Sequence, residues 1–156
     1  SVPWALQAQK LLMQDWGVDA AVWSVTSWHE LRRDGMESDR HNLIHADEEY
    51  RLPYVTQRLR NATGPVIATS DYDHLVPDMI RPWVPGRYKV LGASDFGYSD
   101  TRAAARRHFL IDAESLVVQA LEALNENGVL QDRSVVTQAL NRYDLLNPNA
   151  GSSGEQ

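Results

Sequence analysis

The chain has 156 residues, 15 Lys+Arg against 21 Asp+Glu, and a formal net charge of -6. That length, with 43% hydrophobic residues, is about one domain able to bury its own core, while the acidic balance argues against a nucleic-acid partner, which needs a clustered basic surface. The absence of Cys excludes disulfides, cysteine zinc sites and thiol nucleophiles and fits a reducing cytoplasm; no apolar run approaches the roughly 18 residues of a membrane span, and the start lacks the pattern of a secretory signal.

Trp4, Ala8, Leu11 and Leu12 recur at a helical period, and Gly17 stands where a left-handed cap would release the helix. Residues 18–25 form a short apolar run and are predicted to be a buried strand. Ser27-Trp28-His29-Glu30 fits the Ser-x-x-Glu capping box, so a helix is expected from Trp28. Residues 41–45 read as helix, Pro53 stops what precedes it, and Tyr54, Val55 and Leu59 point to a further short helix. After the turn signal Gly64-Pro65, residues 66–69 are predicted to form a buried strand.

Tyr72, Leu75, Val76, Met79, Ile80 and Trp83 lie at helical spacing and predict one continuous helix packed on a sheet, with Pro77 as its cost. Residues 88–91 are a strand ended by Gly92, and a helix is expected over residues 101–107 after Ser99 or Asp100. Residues 108–111 are predicted to be a fourth strand. Asp112 is placed to cap a long helix with Leu116, Val117, Ala120, Leu121 and Leu124 on one face, ended by Asn127-Gly128. A last helix begins at Asp132 and carries Val135, Val136, Ala139, Leu140 and Tyr143.

Alternating strands and helices predict an α/β fold of three layers, a mostly parallel sheet with helices on both faces. One domain is expected over residues 1–147, with a small, polar, disordered tail over 148–156. A helix comes first where such a sheet usually opens on a strand. The first strand is therefore expected to be missing from this segment, and the chain to be the C-terminal part of a longer one.

The motifs assign no chemistry. His41 and His45 have the spacing of a His-Glu-x-x-His zinc helix, but Asn42 stands where the general base belongs, so they read as polar helix positions. Asp71-Tyr72-Asp73-His74 follows a strand and reads as a solvated helix start, where the dipole favours acids, rather than a metal cluster. Asp95-Phe96-Gly97 stands without the other kinase signatures, and no P-loop, dinucleotide fingerprint or serine-hydrolase elbow is present. No catalytic, cofactor-binding or metal residue is assigned to any position. Arg32-Arg33 and Arg106-Arg107 read as solvated helix faces.

A resemblance supplies what the motifs lack. Val22-Trp23-Ser24-Val25-Thr26-Ser27, Leu52-Pro53-Tyr54-Val55, Ala68-Thr69-Ser70-Asp71-Tyr72 and Trp83-Val84-Pro85 resemble, in order, segments of the C-terminal, transketolase-like domain of the homodimeric pyruvate dehydrogenase decarboxylating component. The longest match runs Tyr88-Lys89-Val90-Leu91-Gly92-Ala93-Ser94-Asp95-Phe96-Gly97-Tyr98-Ser99-Asp100-Thr101-Arg102, followed by Arg107-His108-Phe109. The resemblance implies a cytoplasmic homodimeric enzyme that uses thiamin diphosphate and magnesium to decarboxylate pyruvate. It then reductively acetylates the lipoyl group of a dihydrolipoyl acyltransferase partner.

In that family the cofactor lies between other domains, so none is expected to bind this segment, and the segment alone is expected to be inactive. Residues 92–102 leave the carboxyl edge of a strand, where parallel sheets place functional loops. They are expected to face another domain or subunit through Phe96, Tyr98, Asp100 and Arg102. Two other classes remain open on sequence: a free-standing α/β binding or regulatory module, and the matching domain of another transketolase-like enzyme.

Overall fold

The computed structural model describes residues 1–94 and 102–147. Helix α1 (Val2–Trp16) ends where expected, with Gly17 in the left-handed region at φ 63°, its N–H closing on the last turn. Helix α2 (Trp28–Ile44) begins at Ser27, whose Oγ accepts from the N–H of Glu30 at 3.2 Å. The Glu30 carboxylate does not return to Ser27; it takes Arg33 at 2.7 Å instead. Half of the capping box is therefore made. Ser27→Ala is expected to cost about 1 kcal/mol through the lost N–H partner, and solvent-like amide exchange at Glu30 in the unmodified chain would show that no capped helix starts there.

Helix α3 (Tyr54–Leu59) follows Pro53. Strands β1 (Val66–Thr69) and β2 (Tyr88–Leu91) pair in parallel, with Val66 opposite Tyr88 and Thr69 opposite Leu91. Between them lie α4 (Leu75–Asp78) and one 3-10 turn over Arg81–Trp83. Helices α5 (Arg102–His108), α6 (Ala113–Glu126) and α7 (Ser134–Arg142) complete the described chain.

The sheet separates two apolar clusters. The period-2 alternation sends Ile67 and Leu91 to one face, where they meet α1, α6 and α7 through Ala8, Leu12, Leu116, Val117, Leu121, Val136 and Ala139. Val66, Ala68, Tyr88 and Val90 point to the other, against Val55, Ile80, Val84, Trp28 and Leu31. The result is helix, sheet, helix: the expected three-layer α/β arrangement around a parallel pair.

Three local expectations are corrected. Residues 18–25 form no regular element and pair with no described strand. A strand exists only through its ladder, and an apolar run with no edge to join stays coil. Val18 and Ala20 still pack on the helical layer, while Trp23 is 60% exposed. Residues 108–111 are not a strand either. They close α5: the Leu110 N–H donates to Arg107 O at 3.1 Å and the Ile111 N–H to Arg106 O at 2.9 Å, with Leu110 at φ 56°. Those two bonds are a Schellman end.

The stripe from Tyr72 to Trp83 is not one helix. Pro82 has no N–H for the carbonyl of Asp78, and its ring collides with that turn, so the path breaks into a short α-helix and a 3-10 turn. Ile80 is buried, but Tyr72 and Leu75 face solvent.

Polar clamps tie the helical layer together. The Trp16 indole N–H donates to the Tyr143 hydroxyl at 2.9 Å, which donates to Asp15 Oδ2 at 2.8 Å; Arg142 meets Asp15 Oδ1 at 2.7 Å. Burial, with the Asp15 carboxylate beside it, pushes the Tyr143 phenol from 10.0 up to about 12. The folded state then holds a proton that the unfolded chain releases. This contribution to stability is complete below 10.0 and lost as pH rises through about 12. Over that window the denaturant midpoint should fall more steeply for the unmodified chain than for Tyr143→Phe; identical slopes would contradict the assignment.

Candidate interface at the carboxyl end of the sheet

Because β1 and β2 are parallel, both release their chain at the same edge. From β1 the chain continues into Ser70-Asp71-Tyr72-Asp73-His74, and from β2 into Gly92-Ala93-Ser94. Ser70 is buried; its N–H donates to Leu91 O at 3.1 Å and extends the ladder by one bond. Its Oγ accepts from the Tyr72 N–H at 3.1 Å, turning the chain outward. The two exits are then pinned together, the Ala93 N–H donating to Tyr72 O at 3.0 Å.

Gly92 is what allows this approach. A Cβ there would lie 2.5 Å from the His74 nitrogen, 2.6 Å from its Cα and 2.9 Å from Tyr72 O. All three are backbone atoms that cannot give way, so no larger residue fits without separating the two loops.

Polar side chains crowd this edge. Asp73 Oδ1 accepts from the Leu75 N–H at 2.7 Å. His74 Nδ1 lies 2.6 Å from Ser94 Oγ and 3.4 Å from Asp73 Oδ1. A serine, an imidazole and a carboxylate together invite comparison with a nucleophilic triad, but the geometry is wrong. A triad places hydroxyl and carboxylate on opposite ring nitrogens, so that one takes the proton while the other orients the ring. Here both meet Nδ1. The trio is a loop clasp, and it leaves Tyr72 outward and 73% exposed beside Asp71.

Phe96, Tyr98 and Asp100 lie outside the described residues. Arg102 opens α5 and is exposed. The other chemistry-bearing positions resolve as surface features. His41 Nε2 and His45 Nδ1 both meet the Glu48 carboxylate, at 3.4 and 3.2 Å. Among the described residues no group of three or more His, Asp or Glu is placed to hold a metal ion. No described helix is long and apolar enough to cross a membrane.

Arg106-Arg107, expected on a solvated face, is in part buried. Arg107 is 5% exposed, pairs with Asp112, reaches Glu114 at 3.4 Å and donates to Tyr143 O at 3.0 Å. No spacing in the sequence marks it, because its burial depends on the end of α5, the start of α6 and the end of α7 converging on one guanidinium.

The chain belongs to the transketolase-like TK C-terminal domain family, which residues 1–112 match. It is 53% identical over 145 residues to the pyruvate dehydrogenase E1 component of Mycolicibacterium smegmatis, covering 93% of this chain and 16% of that protein. The protein of the same name from Mycobacterium tuberculosis is also 53% identical over 145 residues, with the same coverage. That of Escherichia coli K12 is 40% identical over 140 residues, covering 89% of this chain and 15% of its own. The chain thus spans about a sixth of the length of the curated relatives it matches. These similarities extend past the family match into α6 and α7, and they bear out the resemblance read from the ordered segments.

Proposed function

We propose that this chain is the C-terminal domain of a pyruvate dehydrogenase E1 component, with residues 1–147 forming one structural and interface domain of a longer subunit. The observation that carries this reading is 53% identity over 93% of the chain to relatives of that name. The whole enzyme would decarboxylate pyruvate with thiamin diphosphate and magnesium, act as a cytoplasmic homodimer, and reductively acetylate the lipoyl group of a dihydrolipoyl acyltransferase. This segment would complete the subunit and support assembly, and would carry no catalytic residue.

In this reading the one or two carboxylates that hold magnesium with a diphosphate come from the other domains of the subunit, and this segment supplies none of them. The carboxyl edge of the sheet supports the interface role instead: its loops are pinned by Gly92 and Ser70 and present the exposed Tyr72 to whatever lies beyond. Phe96 and Tyr98 would be the anchors, because buried aromatic residues dominate interface energies, with Asp100 and Arg102 at the rim.

Two measurements test the reading. Calorimetric titration of the chain with thiamin diphosphate and magnesium should give no saturable heat; micromolar binding would overturn it. In the full-length enzyme, Phe96→Ala with Tyr98→Ala should weaken dimerisation and lower activity. Unchanged dimerisation and turnover would remove the interface from this edge.

A further inference from the structure

Helix α1 turns an uncharged flank to solvent. A surface helix keeps charged side chains outward, yet of the exposed positions of α1 only Lys10 carries a charge, and Val2, Leu6 and Met13 are apolar. Helix α2 shows the ordinary pattern, with Arg32, Arg33, Glu37 and Arg40 exposed. Val2, Leu6, Gln9 and Met13 stand at helical spacing in one row along α1. The Gln9 side chain donates to Ala20 O at 2.6 Å, which joins the row to residues 18–25. Those residues pass from the layer of α1 to the layer where Trp28 packs, and Ala21, Trp23 and Val25 are exposed on the way.

The composition and the position of this flank select its occupant. Interface cores are poor in charge and rich in aromatic residues and Met, and a Trp in such a place is a frequent anchor. The row starts at Val2, directly after Ser1, whose nitrogen lies 2.8 Å from Asp71 Oδ2 at the carboxyl edge of the sheet. The flank therefore continues that edge round the side of the molecule. The chain spans about a sixth of the length of its curated relatives. As the C-terminal part of such a subunit, it receives the preceding polypeptide at Ser1, at the head of the row.

We propose that the flank formed by Val2, Leu6, Met13 and Trp23 docks the preceding domain of the same subunit. The inference rests on the C-terminal reading given above and goes beyond it, since it assigns a second surface and fixes its partner as part of the same polypeptide. Tethering at Ser1 holds that domain at high effective concentration, so a modest apolar patch suffices.

The test is maleimide labelling of Leu6→Cys and Met13→Cys, each read by mass spectrometry of its own peptide; the chain has no native Cys. In the intact chain both cysteines should label freely. In the full-length enzyme both should label about tenfold more slowly, as expected for sites reached only by local opening. Adding Trp23→Lys to the full-length enzyme should return both toward the rate of the chain. Trp23 is exposed, so the same change should leave the urea midpoint of the chain unmoved, which separates lost docking from lost fold.

Free labelling in the full-length enzyme, or protection that survives Trp23→Lys, would overturn the proposal. Protection that falls as the enzyme is diluted would also overturn it and assign the flank to a second copy. Pyruvate turnover by the same full-length protein reports on the enzyme reading separately: turnover with unprotected cysteines would remove the docking surface alone.

Discussion

Replacing Arg107 by Ala should lower the unfolding free energy by about 3–5 kcal/mol, the cost of leaving a buried charge without its partner. The guanidinium is 5% exposed and spends its donors on Asp112, on Glu114 at 3.4 Å and on the carbonyl of Tyr143 at 3.0 Å. It thereby joins the end of α5, the start of α6 and the end of α7. Asp112 has a second duty, its Oδ1 accepting from the Ser115 N–H at 2.9 Å as the cap of α6. Removing the guanidinium strands that carboxylate in a site largely closed to water.

Urea denaturation of Arg107→Ala, Asp112→Ala and the double variant would separate the terms. The double variant should lose less than the sum of the single losses, because each single change leaves the other partner unpaired. Strict additivity, or a loss under about 1 kcal/mol for Arg107→Ala, would mean that water already reaches the pair.

The second large effect is expected at Leu121. Its side chain is fully buried at the centre of the helical layer, beside Val117 and Ala139. Leu121→Ala should cost about 2–5 kcal/mol, the lost transfer energy plus the cavity left behind. Leu75→Ala is the informative contrast. The helical stripe that contains Leu75 predicts a comparable loss, but the residue is 63% exposed, so a change within about 0.5 kcal/mol is expected. Equal shifts in denaturant midpoint for the two variants would show that the break after α4 is misplaced and that the stripe packs as one helix.

Much of the architecture is legible in the chain because local chemistry suffices for it. Gly17 ends α1 since only a residue without a Cβ enters the left-handed region cheaply. Ser27 and Asp112 start their helices since a side-chain oxygen satisfies an orphan N–H wherever it occurs. The apolar periods of α1, α6 and α7, the two short strands and the ordered segments shared with the family need only neighbours in sequence to be recognised.

What the tertiary structure decided is what depends on distant partners. Residues 18–25 have strand composition but no described edge to pair with, and pairing is a property of two segments. Leu75 falls outside the core because the stripe is split between the four-residue α4 and the 3-10 turn, and α4 leaves Leu75 in solvent while Ile80 beyond it is buried. Arg107 is buried because three elements converge on it, which no spacing announces. Gly92 is required because a second loop passes within 2.5 Å of where its Cβ would be. Trp83 packs on Gly35 and donates to Asp39, 44 residues earlier in the chain. Each of these is set by which surfaces meet, and composition and period carry no record of that.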